Sequence, residues 1–154
     1  MNSVHGRHQP WAALAMFSLL INLVWELLAV SFYETHARLA GATSFPIDCV
    51  QASVGDVGIT LVSFAAASMV STRQWLFRPT ARAWATYLGV GIAITVVLEY
   101  VNVYVLDRWA YGSGMPVIAG IGTLPLVQWI ALPPLILWLA RRHVACDPAA
   151  QRAS

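Results

Sequence analysis

The chain has 154 residues, of which 58% are hydrophobic and only 10% are charged. Soluble domains carry about 25% charged residues, so this composition excludes a soluble globular protein, and the long apolar runs indicate an integral membrane protein. The net charge of +2 comes from nine arginines and no lysine. These arginines lie at the ends of the apolar segments, where membrane topology explains them without a nucleic-acid partner.

Four apolar segments are long enough to cross a membrane, and the short loops between them favour an antiparallel arrangement. We therefore predict an all-α, up-down four-helix membrane bundle that forms a single domain over residues 11–140, with polar tails at 1–10 and 141–154. The predicted spans are 11–33, 50–71, 84–105 and 121–140. A cleaved signal peptide is an alternative for the first span, but its length and its polar residues Asn22 and Glu26 disfavour cleavage.

The segment 106–120 precedes the last span. Its residues Trp109 and Tyr111 are typical of the membrane interface, and Gly112, Gly114 and Pro116 interrupt any helix. This pattern leaves two alternatives open, a surface loop and a shallow re-entrant segment. In the last span, the prolines predict a kink.

The arginine count predicts the orientation of the bundle. Seven arginines lie on the side that holds both chain ends and two on the other side, so the positive-inside rule places both termini in the cytoplasm. We predict a multi-pass protein of the bacterial cytoplasmic membrane. Cys49 and Cys146 then lie on opposite sides of the membrane, so we expect no intrachain disulfide, and their spacing fits no metal site.

Each predicted span carries a polar residue at a similar depth, roughly 10 Å from its outer end at ~1.5 Å per residue. These residues are Glu26, Asp56, Glu99 and Gln128. A carboxylate inside a membrane is costly, which makes it a candidate functional group. Asp56 has an alternative position in the interface if the second span begins later. The predicted catalytic residues are Glu26, Glu99 and Asp56, and the predicted substrate-binding residues are Asn22, Trp25, Tyr100, Asn102, Gln128 and Trp129.

The predicted spans contain no lysine, arginine or histidine that would neutralise these acids. Three explanations remain open: some carboxyls are protonated, a water-filled cavity reaches them, or a cationic ligand or intermediate completes the site. A structural alternative is that a protonated carboxyl bonds an amide and joins two helices.

Three functions are compatible with this pattern. The first is acid–base catalysis on a lipophilic, isoprenoid-like or sterol-like substrate taken from the membrane lipids, without a metal or cofactor. The second is a proton-coupled transporter of cations or lipophilic cations, working as a homodimer through small-residue faces such as Gly89-x-Gly91 and Ala65 to Ser68. The third is a non-catalytic membrane subunit.

The string Asn22-x-x-Trp25-Glu26 resembles the Asn-x-x-Trp-Glu element of small integral-membrane terpene cyclases, such as the fungal meroterpenoid cyclases. The resemblance covers five positions of this chain, which has fewer predicted spans than those enzymes. It implies that Glu26 acts in proton transfer during a cyclisation, with a second acid such as Glu99 as its partner.

Overall fold

A computed structural model describes residues 5–35, 45–71 and 75–146 of the chain. The described part is mostly helical, as the sequence predicts. By length and composition, four of its helical stretches are able to cross a membrane: Pro10–Phe32, Ile47–Val70, Ala81–Val105 and Thr123–Cys146. The helices are α1 (His5–Ala29), α2 (Phe45–Val70), α3 (Ala81–Tyr100) and α4 (Thr123–Cys146).

The ends of the helices follow from local chemistry. At the start of α3, the side chain of Thr80 accepts a hydrogen bond from the backbone N–H of Ala83, which satisfies one of the free donors of the first turn. At its other end α3 continues as a π-helical turn, Val101–Val105, and α1 continues as a 3-10 turn, Val30–Phe32. Helix α4 runs on to Cys146, so the arginines after residue 140 extend this helix instead of ending it.

Two short antiparallel strand pairs join the helix ends. Strand β1 (Tyr33–Thr35) pairs with β2 (Trp109–Tyr111), with Tyr33 opposite Tyr111. Strand β3 (Val117–Ile118) pairs with β4 (Ile121–Gly122). The segment 106–120, for which the sequence left a loop and a re-entrant segment open, therefore contains strands that tie the end of α1 to the end of the α3 extension. We name residues 33–35 and 109–122 the strand cap.

The apolar core is concentrated at the other end of α3, where α2 ends and α3 begins. Its ring centroids lie 5.0 Å apart between Phe64 and Trp75 and 5.6 Å apart between Trp75 and Tyr87. Trp11 adds an edge-to-face contact with Phe64 at 4.9 Å. This aromatic cluster fills the bundle at the end away from the strand cap.

Candidate functional site

A chain of hydrogen bonds crosses the interior of the bundle from α1 to α2. The amide nitrogen of Asn22 donates to the backbone carbonyl of Ser18 at 2.9 Å, and Gln128 Nε2 donates to Asn22 Oδ1 at 2.9 Å and to Asp56 Oδ2 at 2.8 Å. A backbone carbonyl only accepts, so it fixes which end of Asn22 is the donor. The side-chain oxygen of Asn22 is therefore an acceptor, so the Gln128 group that faces it is the NH2 group. The same NH2 group faces Asp56, whose carboxylate oxygen accepts the second hydrogen bond.

Glu26 and Glu99 lie beside this chain. Glu26 is one helical turn beyond Asn22 on α1, is within electrostatic range of Asp56 and Glu99, and faces the Gln128 side chain. Glu99, from α3, is only 9% exposed. The structure therefore brings together the four polar residues that the sequence placed at one depth, one from each helix.

The strand cap covers Glu99. The hydroxyl of Tyr111 donates to Glu99 Oε2 at 2.8 Å. The indole N–H of Trp109 faces the same carboxyl but is buried without a hydrogen-bond partner. Alternate residues of a strand point to the same side, so β2 directs both side chains towards the acid.

Tyr33 completes an aromatic wall above the three carboxyls. Its ring centroid lies 5.9 Å from that of Tyr111 and 6.5 Å from that of Trp109. Burial raises the pKa of Tyr33 above its ordinary value, and the neighbouring carboxyls raise it further. Burial likewise raises the pKa of Tyr111, so both phenols remain neutral hydrogen-bond donors at physiological pH.

Two predicted binding residues follow Glu99 directly. Tyr100 is 56% exposed, and its ring packs against that of Tyr104, so Tyr100 faces away from the interior. Asn102 is half-buried in the π-helical turn after α3, and its side-chain amide donates to the Leu98 carbonyl at 2.7 Å.

The two deep tryptophans differ in their surroundings. Trp25 is half-buried next to Glu26. Trp129 is only 4% exposed, and its ring lies 6.2 Å from that of Tyr87. A Cβ added at Gly91 would overlap the six-membered ring of Trp129. Trp129 therefore fills the space between α3 and α4, and its ring separates the carboxyls from the aromatic cluster.

The polar interior extends beyond the predicted layer. Ser18 and Thr60 are fully buried, and their hydroxyl oxygens lie 2.9 Å apart. The sequence places Thr60 on the same helix face as Asp56, but sequence reasoning missed Ser18, although Ser18, Asn22 and Glu26 follow the four-residue spacing of one helix face. It also missed the contacts of Tyr33, Trp109 and Tyr111 with the acids, since no local pattern reveals pairing between distant strands.

Across the described residues, no group of three or more histidine, cysteine, aspartate or glutamate side chains is arranged to hold a metal ion. A comparison of the chain with protein-family models, curated proteins and solved structures finds no match. We therefore infer function from the geometry of the carboxyl cluster, defined as Glu26, Asp56 and Glu99, and of the aromatic wall above it.

Proposed function

We propose that this protein is a membrane enzyme that performs acid–base chemistry, a cyclisation or isomerisation, on a lipophilic, isoprenoid-like substrate. The observation that carries the proposal is the convergence of three carboxyls from three helices under an aromatic wall, inside a bundle whose apolar helices suit a membrane. Such a site is complementary to a positive charge, because carboxylates and aromatic faces both stabilise cations.

The hydrogen bonds suggest different roles for the three acids. Asp56 accepts from Gln128, and Glu99 accepts from Tyr111, which suits carboxylates that later take up a proton. Gln128 lies against Asn22 and Asp56, and its side chain also faces Glu26. Glu26 is within electrostatic range of both other acids, and three carboxyls this close do not all ionise. We assign Glu26 as the carboxyl that carries the proton and gives it to the substrate.

In the proposed reaction, Glu26 donates its proton to a double bond of the substrate, and a carbocation forms. The cation lies between the carboxyl cluster and the rings of Tyr33 and Tyr111. Glu99 or Asp56 then removes a proton from a carbon next to the cationic centre, which forms a new double bond. The reaction consumes no net proton, and proton transfer within the carboxyl cluster restores Glu26.

We also propose an orientation in the membrane. The arginine count supports cytoplasmic termini, which places the strand cap at the outer face of a bacterial cytoplasmic membrane. The carboxyl cluster then lies in the outer half of the bilayer. A lipophilic substrate would reach it from the membrane lipids.

A proton-coupled transporter of lipophilic cations is the second candidate, because the same carboxyls and rings suit a cationic substrate. The packing argues against it. Trp129 lies against Gly91 below the carboxyls, and the aromatic cluster fills the bundle beyond. Gly91 is buried inside the bundle, so it is not free to form the dimer face that the transporter hypothesis requires.

The enzyme proposal is tested by mass profiles of lipid extracts from a host supplied with isoprenoid and sterol precursors. We expect the wild-type protein to produce or deplete a lipid species, and Glu26→Gln and Glu99→Gln to abolish the change. Glu34→Gln makes the same chemical change at an exposed residue of β1 and serves as the matched control. An unchanged profile with inserted, folded protein contradicts the enzyme proposal, and cation uptake into vesicles then separates the transporter from a non-catalytic subunit.

A further inference from the structure

Two buried donors beside Glu99 form no well-aligned hydrogen bond to the residues that the structure describes. Thr95 is 7% exposed, and its hydroxyl forms no hydrogen bond. The Trp109 indole N–H, in the strand cap, is also buried; it faces the Glu99 carboxyl but forms no well-aligned hydrogen bond to a described residue. Burial of such groups without a partner is unfavourable, so donors of this kind beside a candidate site are positioned for an acceptor on a bound molecule.

The position of Thr95 is well defined. Buried residues of α3 recur every four positions, at Tyr87, Gly91, Thr95 and Glu99, so Thr95 lies on the interior face of the helix. It is one turn from Glu99, on the carboxyl side of the Trp129 ring that covers Gly91.

Among the described residues, Ser63 and Tyr87 also have buried hydroxyls without a hydrogen bond, so Thr95 is distinguished by its position one turn from Glu99. A helical hydroxyl commonly bonds the carbonyl four residues before it. Thr86 does so on the same helix, donating to Arg82 at 3.0 Å, as Ser53 does to Cys49 and Ser68 to Phe64. The Thr95 hydroxyl instead is buried on the interior face without a hydrogen bond to a described residue.

We propose that Thr95 and Trp109 donate hydrogen bonds to an oxygen acceptor of the bound molecule, such as an ether, carbonyl or alcohol oxygen. These bonds place the polar end of an otherwise lipophilic ligand beside Glu99. The inference rests on the proposed function, since it assigns a chemical class to the substrate of the same site. It adds Thr95 and Trp109 to the substrate-binding residues.

The test measures binding and needs no turnover. Farnesyl methyl ether and farnesene are a matched pair of probes, because both carry the same isoprenoid chain and only the ether has an acceptor oxygen. Apparent affinities come from quenching of tryptophan fluorescence in detergent micelles. Each probe also partitions into the detergent micelles. The ratio of the two affinities is therefore compared between variants at one micelle concentration, because this partitioning is then the same for every variant.

We expect the wild type to prefer the ether about fivefold, the equivalent of about 1 kcal/mol for one neutral hydrogen bond. Thr95→Val preserves the shape of the side chain, removes a hydroxyl that no protein group satisfies, and is expected to fold normally and to lose this preference. Trp109→Phe is expected to weaken it. Thr86→Val, which changes a hydroxyl outside the site, is the matched control and keeps the preference.

Equal affinities for the two probes in the wild type overturn the proposal, since the free donors then bind water only. Failure of both probes to bind overturns it as well. A preference that survives in both Thr95→Val and Trp109→Phe removes these residues from the site. A preference that Thr95→Val abolishes, in a protein that converts no lipid, supports the binding site and contradicts only the proposed catalysis.

Discussion

The amide nitrogen of Gln128 lies 2.8 Å from Oδ2 of Asp56, and this bond joins two residues that are 72 positions apart in the chain. The same nitrogen also donates to Asn22. One side chain of α4 therefore orients groups on both α1 and α2, which makes Gln128 the centre of the hydrogen-bond network below the strand cap.

The first prediction concerns this network. Gln128→Leu leaves the buried oxygens of Asn22 and Asp56 without their donor, so we expect the free energy of unfolding to fall by about 2 kcal/mol. Thermal unfolding in detergent measures the change. Gln51→Leu is the matched control, because Gln51 is exposed on α2. A Gln128 variant as stable as this control would show that the network contributes nothing to folding.

The second prediction separates the Tyr111 hydroxyl from the strand cap as a whole. Tyr111→Phe removes the donor to Glu99, whereas Tyr104→Phe removes a different cap bond, from the Tyr104 hydroxyl to the Gly120 carbonyl at 2.6 Å. We expect similar losses of stability, about 1 kcal/mol each. Lipid conversion should fall at least tenfold for Tyr111→Phe and much less for Tyr104→Phe, and equal losses would assign Tyr111 a structural role alone.

The third prediction compares two glycines on one helix. A Cβ at Gly91 overlaps the Trp129 ring, whereas a Cβ at Gly89 meets open space. We expect Gly91→Ala to destabilise the protein by about 2 kcal/mol or more, and Gly89→Ala to stabilise α3 by up to about 1 kcal/mol through helix propensity. Both are read from thermal unfolding.

Rescue provides the check on this third prediction. Trp129→Leu removes the ring that a Cβ at Gly91 would meet, so adding Gly91→Ala to the Trp129→Leu background should cost much less than it does in the wild type. Equal costs in both backgrounds would contradict the close approach of α3 and α4.

The fourth prediction follows from the tyrosines of the strand cap. Tyr33 and Tyr111 have pKa values raised above the ordinary 10.0, with burial as the main cause. The folded protein therefore keeps protons that the unfolded chain releases above pH 10, so stability falls as the pH rises beyond that value. We expect thermal unfolding curves of the wild type to show this loss of stability above pH 10. The double variant Tyr33→Phe, Tyr111→Phe should lose less stability over the same pH range. Identical pH profiles for the wild type and the double variant would contradict the burial of the two phenols.

Helical spacing made the lower half of the site predictable. Asn22 and Glu26 share a face because they are four residues apart, and the depth of Asp56, Glu99 and Gln128 in their spans placed them in the same layer. The same spacing argument also selected Asn102. There α3 is followed by a π-helical turn at Val101–Val105, and the Asn102 amide bonds the Leu98 carbonyl of its own helix.

The upper half of the site was not predictable from local patterns. Tyr33 ends the first span, and Tyr111 lies 78 positions later in a segment with the composition of an interfacial loop. Only the pairing of β1 with β2 brings the two rings together over the acids. Strand pairing between such short and distant segments depends on how the helices pack, and no periodicity in either segment encodes it.

The last prediction tests the charge complementarity of the site. Carboxylates and aromatic rings favour a cation over a neutral molecule of the same shape, by about 0.5–2 kcal/mol for the rings alone. We expect farnesyl trimethylammonium to bind at least tenfold more tightly than farnesyl tert-butyl, its neutral isostere, as measured by tryptophan fluorescence. If the carboxyl cluster is the source of this preference, the double variant Glu26→Gln, Glu99→Gln should reduce it. Both a cationic intermediate and a transported cation require the preference. Equal binding of the two probes would therefore contradict the enzyme proposal and the transporter proposal together.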